Sequence, residues 1–189
     1  DMQRDGWYSF ALAEEDLESP AAIGRRAAQR ALARLAPRQV ATGDYPVLFP
    51  AEVARSLVGH LLGAVSGGAL YRRASFLLDS VGTRLFPDWF SIHEDPFLRR
   101  GLRSAAWDSE GVATHAAPLV EDGVLQRYVL GSYSARKLGL QTTGNAGGVH
   151  NLLVRPNAKD FEALLSGMGR GLVVTELMGQ GVNNVTGDY

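Results

Sequence analysis

The chain has 189 residues, 46% of them hydrophobic and 21% charged, with a formal net charge of −1 and no cysteine. This length suits one domain and this composition supports a real core. The near-neutral charge supplies no field to recruit nucleic acid or anionic lipid, so direct nucleic-acid binding is not expected. The missing cysteines remove disulfides, thiolate metal ligands and a cysteine nucleophile together. No apolar run has the length of a membrane span and no signal-peptide pattern opens the chain, so no membrane partner is expected and a cytoplasmic setting is. The arginine doublets Arg25–Arg26, Arg72–Arg73 and Arg99–Arg100 are scattered along the chain, as solvated surface is.

In chain order, DGWYSFALA (5–13) follows a turn signal and is rich in strand formers. In SPAAIGRRAAQRALARLAP, Ser19 is an N-cap and Pro20 occupies the first helical position. Ile23, Ala27, Ala31 and Leu35 recur every four residues, which predicts a helix of about four turns ended by Pro37. YPVLF reads as a short strand. FPAEVARSLVGHLLGAVSGG (49–68) reads as a second helix, apolar on two sides and therefore expected to be well buried. SFLLDSVG and WFSIHED read as strands or extended connections. VATHAAPLVEDGVLQRYVLGS reads as a hairpin, with Asp122–Gly123 as its type I′ turn. SYSARKLGL predicts a short helix, TTGNAGGVHN a glycine-rich loop, NLLVRP a strand, DFEALLSGMG a helix and GLVVTEL a strand. Helices lead, strands follow, and no βαβ alternation occurs. The expected class is α+β, a largely antiparallel sheet with two main helices in the first half, built as a single domain over 1–189.

The second helix raises a chemical question, because it carries His60 on its apolar stripe and Glu52 upstream. A metallopeptidase helix needs two ligands that reach one ion and a carboxylate to activate water. Glu52 and His60 are eight residues apart, about 12 Å along a straight helix, too far to share an ion. Of the nearer residues, Arg55 is a fixed cation and Ser56 a poor zinc ligand. His93-Glu94 lacks the histidine three residues later that a zincin needs, since Leu98 stands near that place and Phe97 in it. His115 is expected half-buried in the hairpin and His150 follows the glycine loop; no pair of the four histidines has ligand spacing. TGNAGG (143–148) lacks the lysine of a phosphate loop. Its glycines let another backbone come close, which makes Gly144, Asn145, Gly147, Gly148 and His150 candidates for holding a peptide.

Several phrases occur in a telling order: FPAEVARSLVGHLLGAVSGGALYRRASFLLDSVG, LFPDWFSIHEDP, AAWDSEG, VEDGVLQRYVLGSYSARKLGLQTTGNAGGVHN and ELMGQGVNNVTGDY. Together they resemble the TldD/PmbA family of metallopeptidase-related proteins, in its PmbA (TldE) branch, over nearly the whole chain. The resemblance implies a middle-to-late segment of a longer polypeptide, with an N-terminal domain and last strands outside it, and hence an unpaired sheet edge. It also implies a two-subunit assembly that cleaves peptides and unfolded proteins. In the TldD branch the zinc helix reads His-Glu-x-x-x-His. Laid on this chain through the shared Gly-His, that motif falls on Arg55, Ser56 and His60, so only the last histidine remains. The expectation is a chain with no cofactor of its own and no catalytic residue, joined to a TldD-like partner that carries zinc. Two other readings stay open: an autonomous metallopeptidase built from His60, His93, His115 or His150, and a regulatory protein-binding module of the gyrase-modulator type.

Overall fold

A computed structural model describes residues 2–157, 160–178 and 181–188. The chain divides into two compact units, one of residues 1–44 with 99–102, the other of 45–98 with 103–189.

In the first unit, helix α1 (Pro20–Ala33) starts as its sequence dictates: the Ser19 hydroxyl accepts the Ala22 N–H at 3.3 Å and Pro20 follows it. Its half-buried face is Ile23, Ala27, Arg30, Ala31 and Arg34. The arginines on that face are paired: Asp5 takes Arg30 at 3.0 Å and Arg34 at 2.8 Å. Trp7 lies under two guanidiniums, Arg26 at 4.4 Å and Arg30 at 5.5 Å, and donates its indole N–H to Glu18 at 2.9 Å. Arg100 reaches Glu15 and Asp16, the latter at 3.2 Å. The strand expected at 5–13 is not one here. Its burial alternates residue by residue as a strand's does, but among the described residues no backbone hydrogen bond runs to or from residues 7–12. A strand needs a neighbour to satisfy its ladder, and none pairs with it among the described residues.

The second unit holds two sheets. β1 (Val47–Leu48) runs parallel to β6 (Leu172–Val173). The larger sheet is antiparallel, built from β2 (Ile92–Asp95), β3 (Ala117–Glu121), β4 (Val124–Leu125) and β5 (Asn151–Val154) in the order β4-β3-β2-β5. Helices α2 (Ala51–Ala64), α3 (Gly67–Tyr71), α4 (Ser132–Leu138) and α5 (Phe161–Met168) complete it. The α+β class, the antiparallel main sheet and the two long helices in the first half are all present.

The core gathers where these elements meet: Val65, Ile92, Leu119 and Leu125 have no exposed surface. Burying each such side chain contributes about 1.5–3 kcal/mol. Helix α2 departs from expectation. Only Leu61 and Ala64 near its C-terminal end are buried, while its first two turns are exposed or half-exposed. Its apolar sides thus extend past the core that packs against its end.

Between β3 and β4 the backbone turns through Asp122 and Gly123, at φ 47° and 81°, the two left-handed positions of the type I′ turn its sequence announced. Gly123 is fixed twice over. Its carbonyl accepts Leu85 N–H at 2.8 Å and Phe86 N–H at 3.1 Å, its N–H donates to the Phe90 carbonyl at 2.8 Å, and a Cβ placed on it would lie 2.1 Å from the Phe86 oxygen. Gly123→Ala is expected to destabilise the protein by at least 1–3 kcal/mol (~2 as a working figure), measured by denaturant unfolding. Stability equal to wild type would show that the turn can move away from residues 86–87.

Candidate functional site

On α2, the three positions of the emptied motif point to different fates. Arg55 is exposed, Ser56 and His60 half-buried. The Ser56 hydroxyl donates to the Val53 carbonyl at 2.7 Å, inside its own helix. A guanidinium repels a cation, a serine turned back on its helix supplies no carboxylate base, and a single imidazole does not make a zinc site. The residues on this helix therefore do not fit zinc. Among the described residues, no group of three His, Cys, Asp or Glu side chains is placed to hold a metal ion. His93 and His115 are both exposed, and His115 lies before β3 rather than half-buried within it.

The polar centre of the unit lies elsewhere, around a residue the sequence reading passed over. Glu94 occupies β2 on the same face as Ile92 and is 1% exposed. Its carboxylate accepts four hydrogen bonds or ion pairs. Oε1 takes Asn145 Nδ2 at 2.9 Å, the His150 backbone N–H at 2.6 Å and His150 Nδ1 at 2.8 Å; Oε2 takes the Arg127 guanidinium. Asn145 is in turn held by Arg127 Nη1 at 2.9 Å and Thr143 Oγ1 at 2.8 Å, both donating to its Oδ1. Burial alone would push the Glu94 carboxyl up, but the His150 N–H and the Arg127 guanidinium outweigh it and hold it below the ordinary value.

A second carboxylate grips the same loop. Asp108, 5% exposed, takes Glu110 N–H at 2.9 Å and Val112 N–H at 3.0 Å on Oδ1, and Ala146 N–H at 2.9 Å on Oδ2. Burial opposes its ionisation, and these three N–H groups, Ala146 first, bring its carboxyl below the ordinary value. The glycine loop is thus tied to β2 through Glu94 and to the 108–112 turn through Asp108. Gly144 is buried at φ 67°, where a Cβ would meet the Ala113 carbonyl at 2.8 Å.

Of the five candidate peptide-binding residues, the structure brings all five into this one loop but splits their roles. Asn145 and His150 turn inward onto Glu94 and shape the loop. Gly147 and Gly148, at φ 91° and 107°, are its more accessible backbone. The loop runs directly into β5, an edge of the main sheet: among the described residues β5 pairs only with β2. Leu153 and Val154 on this edge are 44% and 46% exposed. The opposite edge, β4, is partly covered, since Gly82 N–H and Leu125 N–H bond Leu125 and Thr83 carbonyls at 2.8 and 3.0 Å. The buried roles of Glu94, Arg127 and Asp108 escaped the sequence reading; the one local signal for Glu94 is that it stands two residues from Ile92, on the same side of a strand.

Over residues 42–189 the chain matches the PmbA/TldA metallopeptidase C-terminal domain. It belongs to that family. All 189 residues align with Metalloprotease PmbA of Escherichia coli O157:H7 at 51% identity, covering 42% of that protein. The chain therefore spans less than half the length of this relative. Among solved structures, a candidate modulator of DNA gyrase from Bacteroides thetaiotaomicron superposes with a TM-score of 0.90 at 29% identity, over 96% of this chain and 41% of that one. TldE from Thermococcus kodakarensis superposes with a TM-score of 0.73 at 26% identity, over 84% of this chain and 38% of that one. Among the described residues, no helix is long and apolar enough to cross a membrane.

Removing Glu94 leaves a guanidinium buried without its anion, so Glu94→Ala is expected to cost about 3–5 kcal/mol, read by denaturant unfolding. The acid side follows from the direction of the shifts. The folded carboxyls of Glu94 and Asp108 bind protons less readily than the unfolded ones, so the stability they contribute is complete above the unfolded pKa values, about 4. It is lost as pH falls through the lower folded values. Unfolding free energy measured from pH 7 to pH 2 should fall in that window, and Asp108→Asn should flatten the slope. A wild-type profile that stays level down to pH 2 would contradict this assignment.

Proposed function

We propose that the chain is part of a PmbA/TldE-type subunit of a two-subunit cytoplasmic metalloprotease that processes peptides and unfolded proteins, with zinc carried by a TldD-like partner. The observation that carries this reading is α2 itself. The helix of the metallopeptidase scaffold is kept, while Arg55 stands at one ligand position and Ser56, engaged with Val53, stands where a carboxylate base belongs. A subunit that keeps a scaffold without its chemistry serves by shape: it positions substrate or partner.

The geometry that serves such a role is the glycine loop and the edge of β5. A peptide in extended conformation adds to an open sheet edge through main-chain hydrogen bonds. At Gly148 a Cβ would meet only the Arg103 guanidinium, at 3.7 Å, so a chain can approach close to the loop there; Gly147, the most exposed of the five, makes its room for Ser109. Glu94, Asn145 and His150 keep the loop in one conformation, so little ordering cost falls on the binding step.

The full-length protein, purified alone, is expected to hold no stoichiometric zinc by elemental analysis and to gain peptidase activity only with a TldD-like subunit. Stoichiometric zinc together with activity in the absence of that subunit would overturn the reading. Replacing the exposed edge pair, Leu153→Lys with Val154→Lys, should weaken capture of an unfolded peptide by about tenfold, ~1.4 kcal/mol, measured by fluorescence anisotropy on the assembled pair. Unchanged affinity would remove β5 as the peptide's place.

A further inference from the structure

We propose that residues 7–12 form a β-strand that pairs with a strand from the part of the same polypeptide lying outside these 189 residues, and that Tyr8, Phe10 and Leu12 are the sheet face which that part covers. The segment already has the side-chain order of a strand, with one anchored, largely polar face and one apolar face. Its odd residues turn inward and are anchored one by one: Asp5 on Arg30 and Arg34, Trp7 on Glu18 and two guanidiniums, and the Ser9 hydroxyl accepting the Glu18 N–H at 3.0 Å. Its even residues turn outward and are bare. Tyr8 is 61% exposed, Phe10 58% and Leu12 64%, and the first two rings stack at 5.7 Å with planes 18° apart. An alternation of period 2 with an aromatic row is the pattern of a sheet face.

The backbone points the same way. Unpaired N–H and C=O groups along a held, extended segment are a template for another strand. Here, among the described residues, residues 7–12 have no backbone partner on either side.

The occupant follows from where the segment lies. Residues 7–12 precede the matched C-terminal domain, which begins at residue 42, yet they align with the longer relative, more than half of which lies outside the aligned span. The remainder of such a polypeptide is longer than this chain, and its tether makes the pairing intramolecular, which favours it over a second copy.

The test uses the full-length protein. Residue-resolved hydrogen exchange should show alternate amides within 7–12 slowed about 100-fold or more relative to an unstructured peptide, independent of protein concentration. A photo-crosslinking residue at Phe10 should join to residues of the same polypeptide outside these 189. Amides in 7–12 exchanging at the unstructured rate overturn the proposal. Protection that disappears on dilution, or a cross-link to another chain, overturns it too, by assigning the face to an intermolecular contact. None of these outcomes bears on zinc content or peptide capture, so the two readings fail separately.

Discussion

A carboxylate cannot be buried alone. Moving one out of water costs several kcal/mol even after relaxation, and Glu94 is 1% exposed. The fold meets that constraint by bringing four donors to one side chain, from three separated stretches of sequence: Arg127 beyond the β3–β4 hairpin, Asn145 in the glycine loop, and His150 at the foot of β5. Because the penalty for leaving any of them out is large, the arrangement selects one geometry for all three stretches. The hairpin is held against β2, the loop is closed, and β5 enters the sheet in a fixed register beside Glu94.

The same centre explains why a loop with three left-handed glycines is not loose. Gly144, Gly147 and Gly148 permit conformations that other residues avoid, and such freedom costs entropy on folding. The Asp108 carboxylate on Ala146 N–H and the Glu94 carboxylate on Asn145 and His150 N–H offset it with charge-assisted bonds. What emerges is a loop whose backbone is exposed at Gly147, with Arg103 and Asn145 on the Gly147 and Gly148 carbonyls, and rigid underneath. It lies next to β5, an edge of the main sheet with no further strand beside it among the described residues. Preorganisation of this kind is what the proposed holding of an extended chain would draw on.

Local order was legible in the residues. Ser19-Pro20 announced α1, Asp122–Gly123 announced the turn, and the four-residue apolar repeat announced the helix face. The emptied motif on α2 came from the family resemblance, laid on the chain through Gly59-His60; the residues alone said only that Glu52 and His60 are too far apart to share an ion. What was not legible came from partners distant in sequence. Glu94 reads as a solvated acid in IHED until Arg127, Asn145 and His150 are known to arrive 33 to 56 residues later. Residues 5–13 read as a strand because strand-forming composition and a turn signal are local, whereas the hydrogen-bonded neighbour that makes a strand is not. His115 failed for the opposite reason: the pairing of β3 begins only at Ala117, so the alternation assumed through His115 had no sheet to refer to.

These cases share one physical cause with the half-exposed α2. Side-chain pattern records which faces are meant to be covered, whether or not the covering element is at hand. α2 is apolar on two sides, yet the core reaches only its last turns. Residues 7–12 carry an aromatic face with nothing on it, and Trp89, Trp107 and Phe97 are each more than half exposed. Exposed aromatic side chains that lie together, as the stacked rings of Tyr8 and Phe10 do, are a mark of surface that something covers. On the proposal made for residues 7–12, such a disagreement between sequence pattern and observed burial marks surface that another part of the polypeptide covers. Where they agree, around Glu94 and the sheet core, the structure is already complete.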